Sequence, residues 1–251
     1  MSALPRVVPQ DAPAEASATP ASIRFVTSDD FPPFNYVGGD GVLSGFNVEL
    51  ARAICVRLAV ACTIQVRPFP LLVDTLIANR ADAIIAGVRD TPALRRYLSY
   101  SHPYFRLPAR FVMASPAAIE PTPAALAGRK IAVVAGTRYA DFIADFFPGS
   151  QAIATDGDGA SFARLKAGAV DAVFTGALAG AFWLTGKTAD GCCRFATGAY
   201  TESAYFGDGL TIAVGRDKAA LRNEINGALR DLETDGVLDE LALRFLPMSL
   251  Y

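Results

Sequence analysis

Residues 130–147 read KIAVVAGTRYADFIADFF, and this stretch decides the fold class. Residues 130–135 are a short apolar, β-branched run of the kind that forms a buried strand, and the run stops at Gly136-Thr137. A helical pattern opens there and continues through Phe147. A buried strand that passes through a tight turn into a helix is half of a β-α-β unit, whose strands pair in parallel. Working outward, residues 151–155 read as the next strand, 161–167 as a helix, 170–175 as a strand and 177–184 as a helix.

A similar order precedes it. Residues 23–27, 63–67 and 82–88 read as strands. The helix between the first two carries Leu50, Ile54 and Leu58 on one face, with Asn47 as its N-cap, and the next helix covers 71–79. Two extended runs, 109–114 and 210–214, flank the second unit, and two helical patterns broken at Gly236 fill 218–245. The pattern predicts an α/β protein of two Rossmann-like lobes joined by a two-strand hinge. The first lobe is discontinuous, 22–110 with 215–251, and the second is 111–214. Residues 1–21, rich in Pro, Ala and Ser, are expected to form a flexible lead-in.

Of the 251 residues, 52% are hydrophobic and 19% charged, so the chain can bury a sizeable core. The 23 basic and 25 acidic residues leave a formal charge of −2, which gives no global attraction to nucleic acid or an anionic membrane. No apolar run approaches the roughly 20 residues of a membrane span, and no cofactor motif appears. The four cysteines lie in two local pairs, and with one histidine, His102, no usual metal-ligand spacing is present. A Cys55–Cys62 disulfide around a helix end is physically reasonable in an oxidising compartment; two small buried thiols are the alternative. Cys192 and Cys193, being adjacent, are expected as free or buried thiols, since bridging neighbours closes a strained ring.

The run Thr27-Ser28-Asp29-Asp30-Phe31-Pro32-Pro33-Phe34 resembles the amino-acid-type, family 3 bacterial solute-binding proteins. The resemblance continues in Gly45-Phe46-Asn47, in Asp82-Ala83-Ile84-Ile85-Ala86-Gly87 with Thr91-Pro92, and in Ser101-His102-Pro103-Tyr104. It extends through Gly136-Thr137 to Lys166-Ala167-Gly168 and Asp171-Ala172-Val173. It implies a type II periplasmic binding protein, a monomer that holds a small-molecule ligand between its lobes and delivers it to the permease subunits of an ABC importer. It also implies a periplasmic location, the export signal having been removed, with no cofactor and no chemistry.

The same resemblance supplies candidate ligand-binding residues. Phe31 falls where the family places a ring on the ligand, and Phe69 where it often places a second; core packing is the alternative for both. Gly87 lies near the end of the third strand, and Arg89 and Thr91 lie just past it. The family's carboxylate-binding arginine lies three or four residues after the threonine, which gives Leu94 or Arg95. Arg95 is therefore the first candidate for an anion anchor, with Arg89 as a substitute and a surface role as the alternative. In the second lobe, Thr137 and Arg138 open a helix whose free amides favour an anion. Gly176 stands where the family has the acid that pairs with a ligand ammonium group, and Asp30, Asp90 and Glu202 are the replacements to consider. A buried ammonium without such a partner costs several kcal/mol, so the expected solute is anionic or aromatic rather than a standard α-amino acid. Competing readings are a dehydratase-like enzyme on the same scaffold and a ligand-presenting sensor or accessory module. The enzyme needs a positioned acid–base pair, and none is evident.

Overall fold

The computed structural model describes residues 21–116 and 119–251, so the expected lead-in lies outside the described residues apart from Ala21. The chain opens with β1 (Ser22–Thr27) and a small three-stranded sheet of β2 (Asp30–Phe31), β3 (Asn35–Val37) and β4 (Leu43–Ser44). Then come α1 (Phe46–Leu58), β5 (Ala61–Val66), α2 (Leu72–Ile77), β6 (Ala83–Ile84) and β7 (Leu98–Tyr100). A second group follows: β8 (Ala109–Ala114), β9 (Lys130–Val134), α3 (Arg138–Phe146), β10 (Gln151–Thr155), α4 (Asp158–Lys166), β11 (Ala172–Gly176), α5 (Ala177–Thr185), β12 (Cys193–Phe195) and α6 (Ser203–Phe206). The chain then returns through β13 (Ala213–Gly215), α7 (Ala219–Thr234) and α8 (Val237–Phe245).

The strands form two separate five-stranded sheets, ordered β5-β1-β6-β13-β7 and β10-β9-β11-β8-β12. In each, three parallel strands come from a β-α-β-α-β run. The fourth strand is antiparallel and belongs to a segment arriving from the other lobe. The sequence reading located the crossings at 109–114 and 210–214, but β8 already belongs to the second sheet and β13 to the first. The crossings pair a few residues before the first run and at the start of the second: Leu210 donates its amide to the Phe105 carbonyl (2.7 Å), and Tyr104 donates to the Leu210 carbonyl (2.9 Å). Behind them, Leu246 and Leu250 at the chain end pack on Ala177 and Ala181 of α5.

Alternation along the strands builds the cores. Ile23 and Phe25 of β1 face the cluster beneath α1 and α7, while Val26 faces the opposite cluster with Leu72 and Leu76 of α2. In the second lobe Phe111, Ile131 and Phe174 face one side, and Val112, Ala132 and Val173 the other. Each fully buried Phe contributes roughly 1.5–3 kcal/mol, so these two-sided sheets are the principal source of stability.

Three local expectations are corrected. Asn47 is not the N-cap of α1; Gly45 is, at φ +127°, where a Cβ would overlap the Phe34 carbonyl. Asn47 is instead fully buried, donating to Asn35 Oδ1 (2.8 Å) and accepting from the Tyr104 hydroxyl (2.7 Å). The expected strand over 82–88 keeps regular pairing only at Ala83–Ile84, because Gly87 turns the chain with φ +70°. Cys192 and Cys193 are not free thiols but are bonded to each other, with Cα atoms 3.8 Å apart. They follow a turn with positive φ at Asp190 and Gly191, and both are only partly buried, Cys193 packing against the cluster around Val112 and Phe162. Cys55, late in α1, is bonded to Cys62 in β5 across a Cα separation of 5.8 Å.

Candidate ligand-binding cleft

In open α/β sheets the crevice beyond the carboxyl ends of the parallel strands is where ligands bind. Most of the candidate residues named from the sequence sit at such an end or in the segment that follows it, whereas Arg95 lies further on, in the 94–96 turn, and Glu202 follows the antiparallel β12. Phe31 follows β1, Phe69 follows β5, and Gly87, Arg89 and Thr91 follow β6. Thr137 and Arg138 follow β9, and Gly176 ends β11.

The first-lobe wall is held from behind by buried polar contacts. The Thr27 hydroxyl donates to the Ile85 carbonyl (2.6 Å), tying the end of β1 to the end of β6. Asn35 donates to the Ser28 carbonyl (3.0 Å) and joins the Asn47–Tyr104 network, which fixes the turn carrying Phe31. Burial pushes the Tyr104 hydroxyl pKa up, so it stays a protonated donor. The half-buried Phe31 stacks on Phe34 at 4.9 Å and lies over Gly87, where an added Cβ would meet its ring edge at 3.2 Å. Phe69 heads a short 3₁₀ turn and is 41% exposed. Phe34 and Phe46 are core residues.

Arg95 has a partner within the chain. Its Nε and Nη2 donate to the two Asp90 carboxylate oxygens at 2.6 and 2.8 Å, although 68% of its side chain remains exposed. That fork takes up both the first arginine candidate and one of the candidate replacement acids. Beside it, burial and then the Asp90 charge push the Tyr100 hydroxyl up to about 12, while that hydroxyl donates to the Arg89 carbonyl (3.0 Å). Thr91 accepts the amides of Leu94 (3.3 Å, at its hydroxyl) and Arg95 (3.0 Å, at its carbonyl), closing a short turn. Leu94 packs against the apolar cluster of α2 and β6.

In the second lobe the Thr137 hydroxyl donates back to the Val134 carbonyl (2.7 Å). The first-turn amides of α3 point away from the helix body, as at any helix start. Arg138 is 70% exposed, and its ion-pair partner among the described residues is Asp141, at a long 3.8 Å. An ideal Cβ built on Gly176 would lie 2.7 Å from the Tyr139 hydroxyl. Of the other candidate acids, Asp30 is exposed on β2 and Glu202 caps α6. Sequence reasoning missed Tyr139 and Asp158; the latter accepts the Thr175 hydroxyl at 2.6 Å beside Gly176. The available signal was position, since both residues follow parallel strands.

The profile of bacterial extracellular solute-binding proteins, family 3, matches residues 23–248. The chain belongs to that family. It is 31% identical over 225 residues to ABC transporter arginine-binding protein 1 of Escherichia coli K12, covering 90% of each chain. It is 26% identical over 242 residues to the histidine-binding periplasmic protein of Salmonella typhimurium LT2, covering 96% of this chain and 93% of that one. Among solved structures it is similar to the L-cystine solute receptor of Neisseria gonorrhoeae in the unliganded open conformation. That match has a TM-score of 0.77 and 22% identity, with 91% and 94% of the two chains covered. The two-sheet α/β architecture of the family 3 chain is thus that of type II periplasmic binding proteins. No helix among its described residues is long and apolar enough to cross a membrane.

Proposed function

We propose that this family 3 protein is the solute-capturing subunit of an ABC importer, working in the periplasm as a monomer. Its lobes, 22–110 with 215–251 and 111–214, close on a small organic solute that carries an anionic group and lacks an α-ammonium group. Family membership supports capture rather than catalysis. Closure is then a population shift bounded by the ligand's differential affinity for the closed form. The anion is met by Arg89 and Arg138 and by the first-turn amides of α3, with Phe31 and Phe69 excluding water from the bound group.

The observation that carries the choice of ligand class is Gly176. Relatives are named for arginine and histidine. A bound α-amino acid needs an acid for its ammonium, and position 176 supplies none. Leu94 removes one of the two expected arginine positions as well, and Arg95, the other, is already paired. Mass spectrometry of small molecules released from gently purified protein, followed by isothermal titration with amino acids and simple organic acids, tests the reading. Organic-acid binding without turnover is the expected outcome; submicromolar binding of a standard amino acid would refute the ligand class.

A further inference from the structure

Glycine at position 176 is not required by the backbone. Its φ of −59° and ψ of 132° suit any residue, so conformation gives no reason to exclude a side chain there. What excludes one is Tyr139. The ideal Cβ position at Gly176 lies 2.7 Å from the Tyr139 hydroxyl oxygen and 3.4 Å from the ring carbon that bears it. The ring is held by two other elements, stacked on Phe206 at 5.6 Å and set edge-on to Phe174 at 6.2 Å. A hydroxyl on a ring packed against two others swings aside less readily than the end of a lysine would.

The hydroxyl has no hydrogen-bond partner among the described residues. Burial, and then the Asp158 charge, raise its pKa, which keeps it a neutral donor. Asp158 itself is engaged by the Thr175 hydroxyl (2.6 Å), and the adjacent Arg138 makes the wall more favourable to an anion. A neutral hydroxyl can pair with a carboxylate, carbonyl or hydroxyl oxygen, but it supplies no charge to offset an ammonium group.

We propose that Tyr139 is the specificity-determining residue of the second-lobe wall. Its hydroxyl occupies the space that a side chain at position 176 would fill, and selects a ligand presenting a hydrogen-bond acceptor there in place of an ammonium group. The inference rests on the reading of this cleft as the binding site.

A first experiment needs no ligand. Gly176→Ala should lower the melting temperature by about 2–10 °C in the native background, because the new methyl overlaps the hydroxyl. In a Tyr139→Phe background most of that loss should vanish, since only the ring carbon at 3.4 Å remains. Equal losses in both backgrounds overturn the proposal. The second experiment titrates L-arginine into the native chain and into Tyr139→Ala/Gly176→Asp by calorimetry, with Tyr139→Ala/Gly176→Ala as a folding control. The acid-bearing variant should bind L-arginine at least about tenfold tighter than the native chain, the scale of one charge-assisted bond. No gain in a folded variant overturns the proposal. Native binding of L-arginine that Tyr139→Phe leaves unchanged and Asp158→Asn abolishes would also overturn it, and the proposed ligand class with it. Failure of the native chain to bind any organic acid, with the gain intact, bears on the proposed function alone.

Discussion

Replacing each arginine of the cleft by alanine should rank them in an order opposite to the one the sequence suggests. Arg95 is the motif-placed anchor, yet Asp90 already grips it with two short bonds. A ligand carboxylate would have to displace Asp90 and leave that acid unpaired, so the exchange is close to neutral. Exposed pairs of this kind contribute about 0–1 kcal/mol, and Arg95→Ala should weaken ligand binding less than about fivefold. Arg138 has, among the described residues, a long 3.8 Å ion pair to give up and lies at a helix start that already favours an anion. A charge-assisted bond from it to the ligand is worth about 1.5–3 kcal/mol, so Arg138→Ala should cost roughly ten- to a hundredfold. Isothermal titration with the solute released from native protein, at low and high salt, measures both. Asp90→Asn is the control, since it releases Arg95 without removing it. The reasoning is wrong if Arg95→Ala abolishes binding while Arg138→Ala and Arg89→Ala leave it intact. If all three leave affinity unchanged, the ligand has no anion held by arginine.

Other outcomes follow from the scaffold. The Cys55–Cys62 bond closes a short loop with a sequence separation of 7, which in the chain-entropy treatment stabilises by about 2–2.5 kcal/mol. Reduction in a Cys192→Ser/Cys193→Ser background should therefore lower the calorimetric melting temperature by about 5–10 °C, and an unchanged value would contradict this. Gly45→Ala combines a positive φ with backbone overlap and should destabilise by roughly 2–5 kcal/mol in urea unfolding; a loss below about 1 kcal/mol would mean the turn relaxes. The Arg24 guanidinium, hydrogen-bonded to Asp82, holds that carboxyl below its ordinary pKa, burial opposing in part. The resulting stability is present above the ordinary carboxylate range and is lost as pH falls through the depressed value. Melting temperature measured from pH 6 to pH 2 should fall less steeply for Asp82→Asn than for the native chain.

Strands whose pattern is local were legible. The run over 109–114 and the run over 151–155 appear with the predicted bounds, because β-branched residues and turn signals mark both ends. The sheet of β2, β3 and β4 was not legible, since strands of two or three residues carry no period. Their geometry depends on buried amide bonds linking Asn35 to Asn47 and Asn47 to Tyr104, partners far apart in sequence. For the same reason Asn47 read as a helix cap: its residue type suits a cap, and only the tertiary partners show otherwise. The run over 82–88 misled differently. Its apolar residues are buried as expected, but the regular ladder ends early, and Gly87 takes a positive φ that an extended strand does not continue through.

The family pattern proposes site positions; what each of those positions contacts was not legible in the sequence. Arg95 and Asp90 stand five residues apart and face each other only because Thr91 closes a turn between them. Glycine at 176 reads in sequence as a missing acid, whereas the structure gives it a reason, the Tyr139 hydroxyl. Removing an acid from a cleft and leaving its space open would keep the shape for an ammonium while withholding the charge. On the proposal above, filling that space with a hydroxyl changes the shape too, so an amino-acid ligand would find neither a partner nor room there. Leu94 acts alike in the first lobe: an arginine there would have to leave the apolar cluster that the leucine helps to fill. Positions 94 and 176 thus both depart from the amino-acid pattern, and each residue is embedded in packing that reversion of that residue alone would disrupt. On this account, single reversions at 94 or 176 should lower stability without restoring amino-acid binding, and recovery requires the packing partner to change as well. Thermal unfolding and L-arginine titration of Leu94→Arg, Gly176→Asp and Gly176→Asp/Tyr139→Ala separate the two effects. Full amino-acid binding by Gly176→Asp alone would show that the packing around the site constrains nothing.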